Sequence, residues 1–188
     1  MQLLVYILIY PILWIISILP FPIFYLFSDF ICFLTYNIIG YRKKVVRANI
    51  KLALPHLSDK ERLAIEKKFY SHMCDMFLEM IKTITISQKE IEKHFTFSNM
   101  EVYYELEKKN KSIALMCAHY ASYEWVISMN YYIHCKGFGI YKKLSNPYFD
   151  KLVKRIRSKF KAELITTKQT IPTIAENHKN HVLGLYGF

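Results

Sequence analysis

Cysteine is scarce in this chain. Four of 188 residues are cysteine, Cys32, Cys74, Cys117 and Cys135, and no two form a C-x-x-C pair. That excludes a zinc ribbon and a disulfide-stapled secreted framework, and it leaves reduced thiols on the cytosolic side as the simple reading. Cys117, His119, His134 and Cys135 do not fall at ligand spacings, and Cys117 lies in a buried-strand pattern, so no metal is expected. Acidic residues are few as well, 15 against 26 lysines and arginines, for a formal charge of +11. No nucleic-acid-binding signature accompanies that charge, so nucleic acid is set aside. A chain that is 53% apolar, with 15 Tyr and 13 Phe, suits an anionic membrane surface better. Internal repeats, linkers and low-complexity tracts are also missing, which points to one domain carrying an anchor.

The anchor is at the start. Leu3 to Leu19 contains no charged residue and is at the short end for a bilayer span. It has no basic n-region and no small-residue cleavage site, so it is expected to stay uncleaved. Pro20 and Pro22 end it. A second apolar stretch, Ile23 to Ile39, holds Asp29 alone among charged types. Whether it spans, lies in the interface or packs on the domain is open at this level. The cluster Arg42, Lys43, Lys44 and Arg47 follows directly and marks the cytoplasmic side. Residues 1–40 therefore form the expected membrane anchor and residues 41–188 the expected catalytic part.

Ser58-Asp59-Lys60-Glu61 is a capping box that opens a long amphipathic helix to about Thr85. His72, Asp75 and Glu79 sit on it at helical spacings and are expected to make local solvated pairs. Ser87 opens a short helix to His94. Phe95 to Phe97 reads as a brief strand, and Met100 to Lys109 as a helix. The apolar run Ile113 to Ala118 reads as a buried strand, and Ser122 to His134 as a helix. Strands are expected at Phe138 to Tyr141, Ala162 to Thr166 and His181 to Tyr186. A basic helix, Tyr148 to Phe160 with Pro147 at its start, and a helix from Ile171 to Lys179 lie between them. The alternation of strand and helix predicts an α/β fold, a mixed sheet flanked by helices.

One spacing carries chemistry. His119 ends the central strand and Glu124 follows five residues later. On one continuous helix, residues five apart do not face each other. A contact between them needs His119 in the turn before the helix. There the positive helix end favours a neutral imidazole able to accept a proton. A carboxylate meeting the ring would fix its tautomer and stabilise the imidazolium once formed. That is a base suited to deprotonating an alcohol or amine.

The ordered set of motifs resembles the late acyltransferases of lipid A biosynthesis, within the lysophospholipid acyltransferase superfamily. It comprises the N-terminal anchor, I-G-Y-R-K-K-V-V-R-A-N-I (Ile39 to Ile50), K-K-F-Y-S-H-M-C-D-M-F-L-E-M-I-K (Lys67 to Lys82), H-Y-A-S-Y-E-W with His119 and Glu124, and Y-K-K-L-S-N-P-Y-F-D (Tyr141 to Asp150). Ala118, Ala121, Ser122 and Tyr123 stand where the family usually has Gly, Gly, Asn and Trp. The resemblance implies a glycerol-phosphate-acyltransferase-like fold and transfer of an acyl chain from acyl carrier protein to a hydroxyl of a lipid A precursor. It implies His119 as base, Glu124 as its support, and Arg157 with Lys142 on substrate phosphates. No cofactor is implied. The acceptor would be an anionic glycolipid or phospholipid, at the cytoplasmic side of a bacterial inner membrane. A lysophospholipid or aminolipid acceptor, or an inactive membrane-surface remnant, is the alternative. A further C-terminal part with an Asp-Gln segment is expected beyond Phe188, so the sequence is read as C-terminally truncated.

Overall fold

The computed structural model describes residues 1–187. Its elements begin with α1 (Gln2–Ile18) and α2 (Phe21–Phe33), the latter running into a π-helical segment, Leu34–Ile39. Gly40 ends that run at φ 66°, a left-handed conformation that glycine adopts without Cβ strain. The Tyr41 N–H then turns back to the Thr35 carbonyl at 3.2 Å. Next come α3 (Lys43–Ala53), α4 (Asp59–Lys82), α5 (Gln88–His94) and α6 (Met100–Glu107). The capping box forms as its local chemistry dictates. The Glu61 N–H donates to the Ser58 hydroxyl at 3.3 Å, and the Ser58 N–H donates to the Glu61 carboxylate at 2.8 Å.

Helix α4 is the spine, and Asp75 and Glu79 are not locally paired as expected; with Glu66 they take donors from far along the chain. Tyr25 donates to Glu79 at 2.9 Å, Ser28 to Asp75 at 2.5 Å, and Tyr36 to Glu66 at 3.1 Å. Arg47 adds an ion pair to Glu66 at 2.8 Å. Hydroxyls of the apolar second stretch need acceptors wherever they are buried, and the carboxylates of α4 supply them. The second stretch therefore packs along α4 through a polar seam.

The remaining elements are β1 (Ile113–Leu115), a 3-10 helix (Tyr123–Tyr131), β2 (Lys136–Tyr141), α7 (Pro147–Ser158), β3 (Glu163–Thr166), α8 (Thr170–Lys179) and β4 (Gly184–Gly187). The four strands form one sheet in the order β1-β4-β2-β3. The α/β class read from the sequence is the one observed. All described pairings are parallel, where a mixed sheet was expected. Each connection between consecutive strands carries a helix and none is a tight hairpin, so the strands return in the same direction. Phe138 of β2 lies opposite Tyr186 of β4, and their rings stack at 4.8 Å.

Three expected elements differ. The buried strand expected over Ile113 to Ala118 is β1, Ile113–Leu115 alone, and none of its residues is fully buried. Phe95 to Phe97 forms no strand. Phe95 packs beside Ile86, Ile91 and Trp125, and Phe97 beside Tyr103, so both aromatics are spent on helix packing. The helix expected over Ser122 to His134 is a 3-10 helix over Tyr123–Tyr131. Ser128 Oγ takes the Trp125 carbonyl at 2.7 Å, and Asn130 Nδ2 takes the Ile127 carbonyl at 2.7 Å. Those side chains compete for carbonyls that an α-helix would use itself. The tighter winding brings β2 close, and Gly137 accommodates Asn130, whose Oδ1 lies 1.5 Å from where a Cβ would be.

Candidate active site

The segment after β1 turns sharply. The Tyr120 N–H donates to the Ala118 carbonyl at 2.9 Å, and the Tyr123 N–H to the Ala121 carbonyl at 2.8 Å. Ala121 takes φ 51°, left-handed for a residue with a Cβ. Trp125 then pins the 3-10 helix. It is 1% exposed, and its Nε1 donates to Thr83 Oγ1 at 3.1 Å at the end of α4. With Trp125 buried, Glu124 beside it is held at the wall of a cavity.

Glu124 is gripped by Arg157. One guanidinium nitrogen, Nη2, donates to both carboxylate oxygens, at 2.8 and 2.7 Å. The Glu124 side chain is 11% exposed and that of Arg157 25%. Arg157 comes from the last turn of α7, so the pair ties that helix to the 3-10 helix. Such charge-assisted bonds are stronger than neutral ones. His119 is exposed in the turn, its ring 4.4 Å from that of Tyr123. Among the described residues no hydrogen bond joins His119 to Glu124. Burial raises the Tyr123 phenol above its ordinary value, and the adjacent Glu124 charge adds to the effect. Burial also raises the Cys117 thiol, which disfavours a reactive thiolate there.

The four residues singled out from the sequence share one space. His119, Glu124, Lys142 and Arg157 all line a cavity of about 450 Å³, within the range of small-ligand sites. Its remaining wall is mainly apolar, including Met80, Leu115, Val126, Ile140, Val153 and Leu185. Leu115 ends β1, Tyr141 ends β2 and Gly187 ends β4, so the cavity opens at the carboxyl ends of parallel strands. Ligands of open parallel sheets bind there. Lys142, exposed directly after β2, adds a cation to the polar side.

Two contributors were not read from the sequence. Asp150 is buried, accepting from the Leu144 N–H at 3.0 Å and the Tyr141 hydroxyl at 3.3 Å. It braces the loop that carries Lys142. Its signal was present, four residues after the helix-capping Asn146, but nothing local names its partners. Lys159 is the other: its Nζ donates to the Thr83 carbonyl at 3.1 Å, and burial lowers its pKa. It joins the end of α7 to the end of α4, beside the contact of Trp125.

A family model described as bacterial lipid A biosynthesis acyltransferase matches residues 1–186. The chain belongs to that family, whose activity class is acyl transfer in lipid A biosynthesis. No curated protein matches it. One helical run, Phe21–Ile39, is long and apolar enough by length and composition to cross a membrane, and the apolar α1 is shorter.

Proposed function

We propose that this chain moves a fatty acyl group from the thioester of acyl carrier protein to a hydroxyl of a lipid A precursor, at the cytoplasmic face of a bacterial inner membrane. Residues 1–40 supply the membrane-facing part and residues 41–188 the catalytic part. The observation carrying the proposal is the convergence of His119, Glu124, Lys142 and Arg157 on one apolar-walled cavity, in a chain of this family.

The apolar wall takes the acyl chain out of water, and the polar end meets the reacting groups. His119 accepts the proton of the acceptor hydroxyl while the oxygen attacks the thioester carbonyl. The tetrahedral intermediate collapses, the carbon–sulfur bond breaks, and the imidazolium returns its proton to the leaving thiolate. The products are the new ester and free carrier thiol, with no acyl-enzyme. Glu124 supports His119 by offsetting the imidazolium charge across the cavity. Arg157 holds that carboxylate through Nη2, and its Nε and Nη1 face a substrate phosphate. Lys142 meets phosphate as a point charge.

The test is transfer of labelled acyl groups from acyl carrier protein by membranes carrying wild type or His119→Ala. The variant is expected to lose about 10²- to 10⁴-fold in rate. Equal turnover would remove His119 from the mechanism. Running a lysophospholipid and an aminolipid acceptor in parallel decides the acceptor class. Membrane association with no His119-dependent turnover on any of them would support a non-catalytic surface protein instead.

A further inference from the structure

The apolar N-terminal helices are attached to the domain along their length, and that constrains how they meet lipid. At its N-terminal end, α1 packs on α7: the Tyr6 ring lies 5.8 Å from that of Tyr148 and 5.5 Å from that of Phe149. Asn146 Nδ2 also donates to the Gln2 carbonyl at 3.4 Å. At its C-terminal end, Lys82 donates to the carbonyls of Ser17, at 2.9 Å, and Leu19, and Thr85 donates to that of Ser17 at 2.6 Å. A 17-residue helix is about 25 Å long. Both of its ends rest on the same domain. A helix crossing a bilayer would leave the domain at one of them.

The second run tells the same story. Tyr25, Ser28 and Tyr36 are bonded to Glu79, Asp75 and Glu66 from one end of it to the other. Crossing would strip these carboxylates of their partners. It would also carry Asp29, an exposed residue near the middle of Phe21–Ile39, to the bilayer centre, where a charge is costly.

The outward faces are continuous apolar stripes. On α1, Leu4, Leu8, Ile12 and Ile15 are each 55% exposed or more. On α2, Ile23, Leu26, Phe30 and Phe33 are 53% exposed or more. These spacings of three and four put each set on one side of its helix. Helix α7, which abuts α1, exposes Lys151, Lys154 and Arg155. Apolar stripes bordered by cations fit an anionic lipid surface.

We propose that α1 and the α2–π run lie in the plane of a single leaflet of an anionic bilayer, with their inner faces fixed to α4 and α7, and do not cross it. The cations of α7 then meet the headgroups, and the cavity mouth at Lys142 lies at the surface. This reading is independent of the acyl acceptor.

Depth measurement tests it on the full chain. Trp14 is replaced by Phe, and a single Trp is placed at Leu4, Leu8 or Ile15; Trp125 is buried and serves as a constant background. Vesicles of phosphatidylcholine and phosphatidylglycerol carry bromine at one of several acyl-chain depths. In-plane helices give the same depth of maximal quenching at all three positions. A crossing helix spreads the maxima over roughly 16 Å from Leu4 to Ile15, which would overturn the proposal. Absence of quenching at every position would also overturn it, since the stripes would then be covered by a second copy of the chain. Omitting phosphatidylglycerol is expected to weaken binding of the wild-type chain. Lys151→Ala/Lys154→Ala/Arg155→Ala should weaken that dependence by about 10²-fold, at about 1 kcal/mol for each cation removed. An unchanged dependence in the variant would remove α7 from the lipid surface.

Discussion

Arg157 is the sharpest point of attack on the site, because its removal leaves the Glu124 carboxylate nearly buried and alone. An exposed ion pair contributes about 0–1 kcal/mol, whereas breaking a fully buried one costs about 3–5 kcal/mol. With side chains 11% and 25% exposed, this pair lies between those limits. Arg157→Ala is expected to cost about 2 kcal/mol, or about 4–8 °C in Tm for a domain of this size. Thermal unfolding of the purified full chain measures it. The second variant, Glu124→Gln/Arg157→Ala, removes the orphaned charge and should recover most of the loss. If Arg157→Ala melts with the wild type, the pair does not hold the site. If the double variant is as unstable as the single, the loss comes from packing of the arginine stem and the charge argument fails.

Two further predictions concern the frame around the site. Ser58→Ala removes the cap of α4 and should cost about 1 kcal/mol in denaturant unfolding, with the m-value unchanged. Glu107 accepts from Tyr103 at 2.7 Å, His134 Nδ1 at 2.8 Å and the Cys135 N–H at 2.9 Å. Burial opposes its charge, yet these bonds outweigh burial and hold its pKa below the ordinary 4.5. Its contribution is therefore complete above pH 4.5 and lost as pH falls through the lower folded-state value. Glu107→Gln should lose about 2 kcal/mol at pH 7, and its stability should fall less steeply below pH 4.5 than that of the wild type.

What the sequence revealed and what it withheld divide along sequence separation. The Ser58–Glu61 box spans three positions, so its geometry is implied by the residues themselves. The placement of His119 in a turn followed from a five-residue interval, and the structure puts it there. The same interval paired Glu124 with His119, whereas the structure pairs it with Arg157, 33 positions away on another helix. The same limit applies to α4. Asp75 and Glu79 looked like local surface pairs, yet their donors lie 47 and 54 positions earlier. Phe95 to Phe97 had the composition of a strand, but a strand exists only where a neighbour offers its backbone. The 3-10 winding was locally encoded by Ser128 and Asn130, although apolar periodicity alone does not register hydrogen bonds to carbonyls three residues back.

The turn before the 3-10 helix allows a last prediction that separates two look-alike substitutions. By resemblance, Ala118 and Ala121 both stand where the family has glycine. The backbone distinguishes them: Ala121 is at φ 51° and Ala118 is not among the residues with positive φ. A Cβ in the left-handed region costs about 1–2 kcal/mol, whereas glycine in place of alanine costs about 0.4–1 kcal/mol through the freedom it adds to the unfolded chain. Ala121→Gly should therefore gain about 0.5–1 kcal/mol, relieving a strain set one carbonyl from the N–H of Tyr123. Ala118→Gly should lose a similar amount, since it gains no conformation it needs. Paired unfolding curves decide the matter, and destabilisation by both would mean the positive φ at Ala121 carries no strain. If the gain is observed, Ala121→Gly also becomes the variant in which to assay acyl transfer, because it restores the flexible step between His119 and Glu124 without touching either.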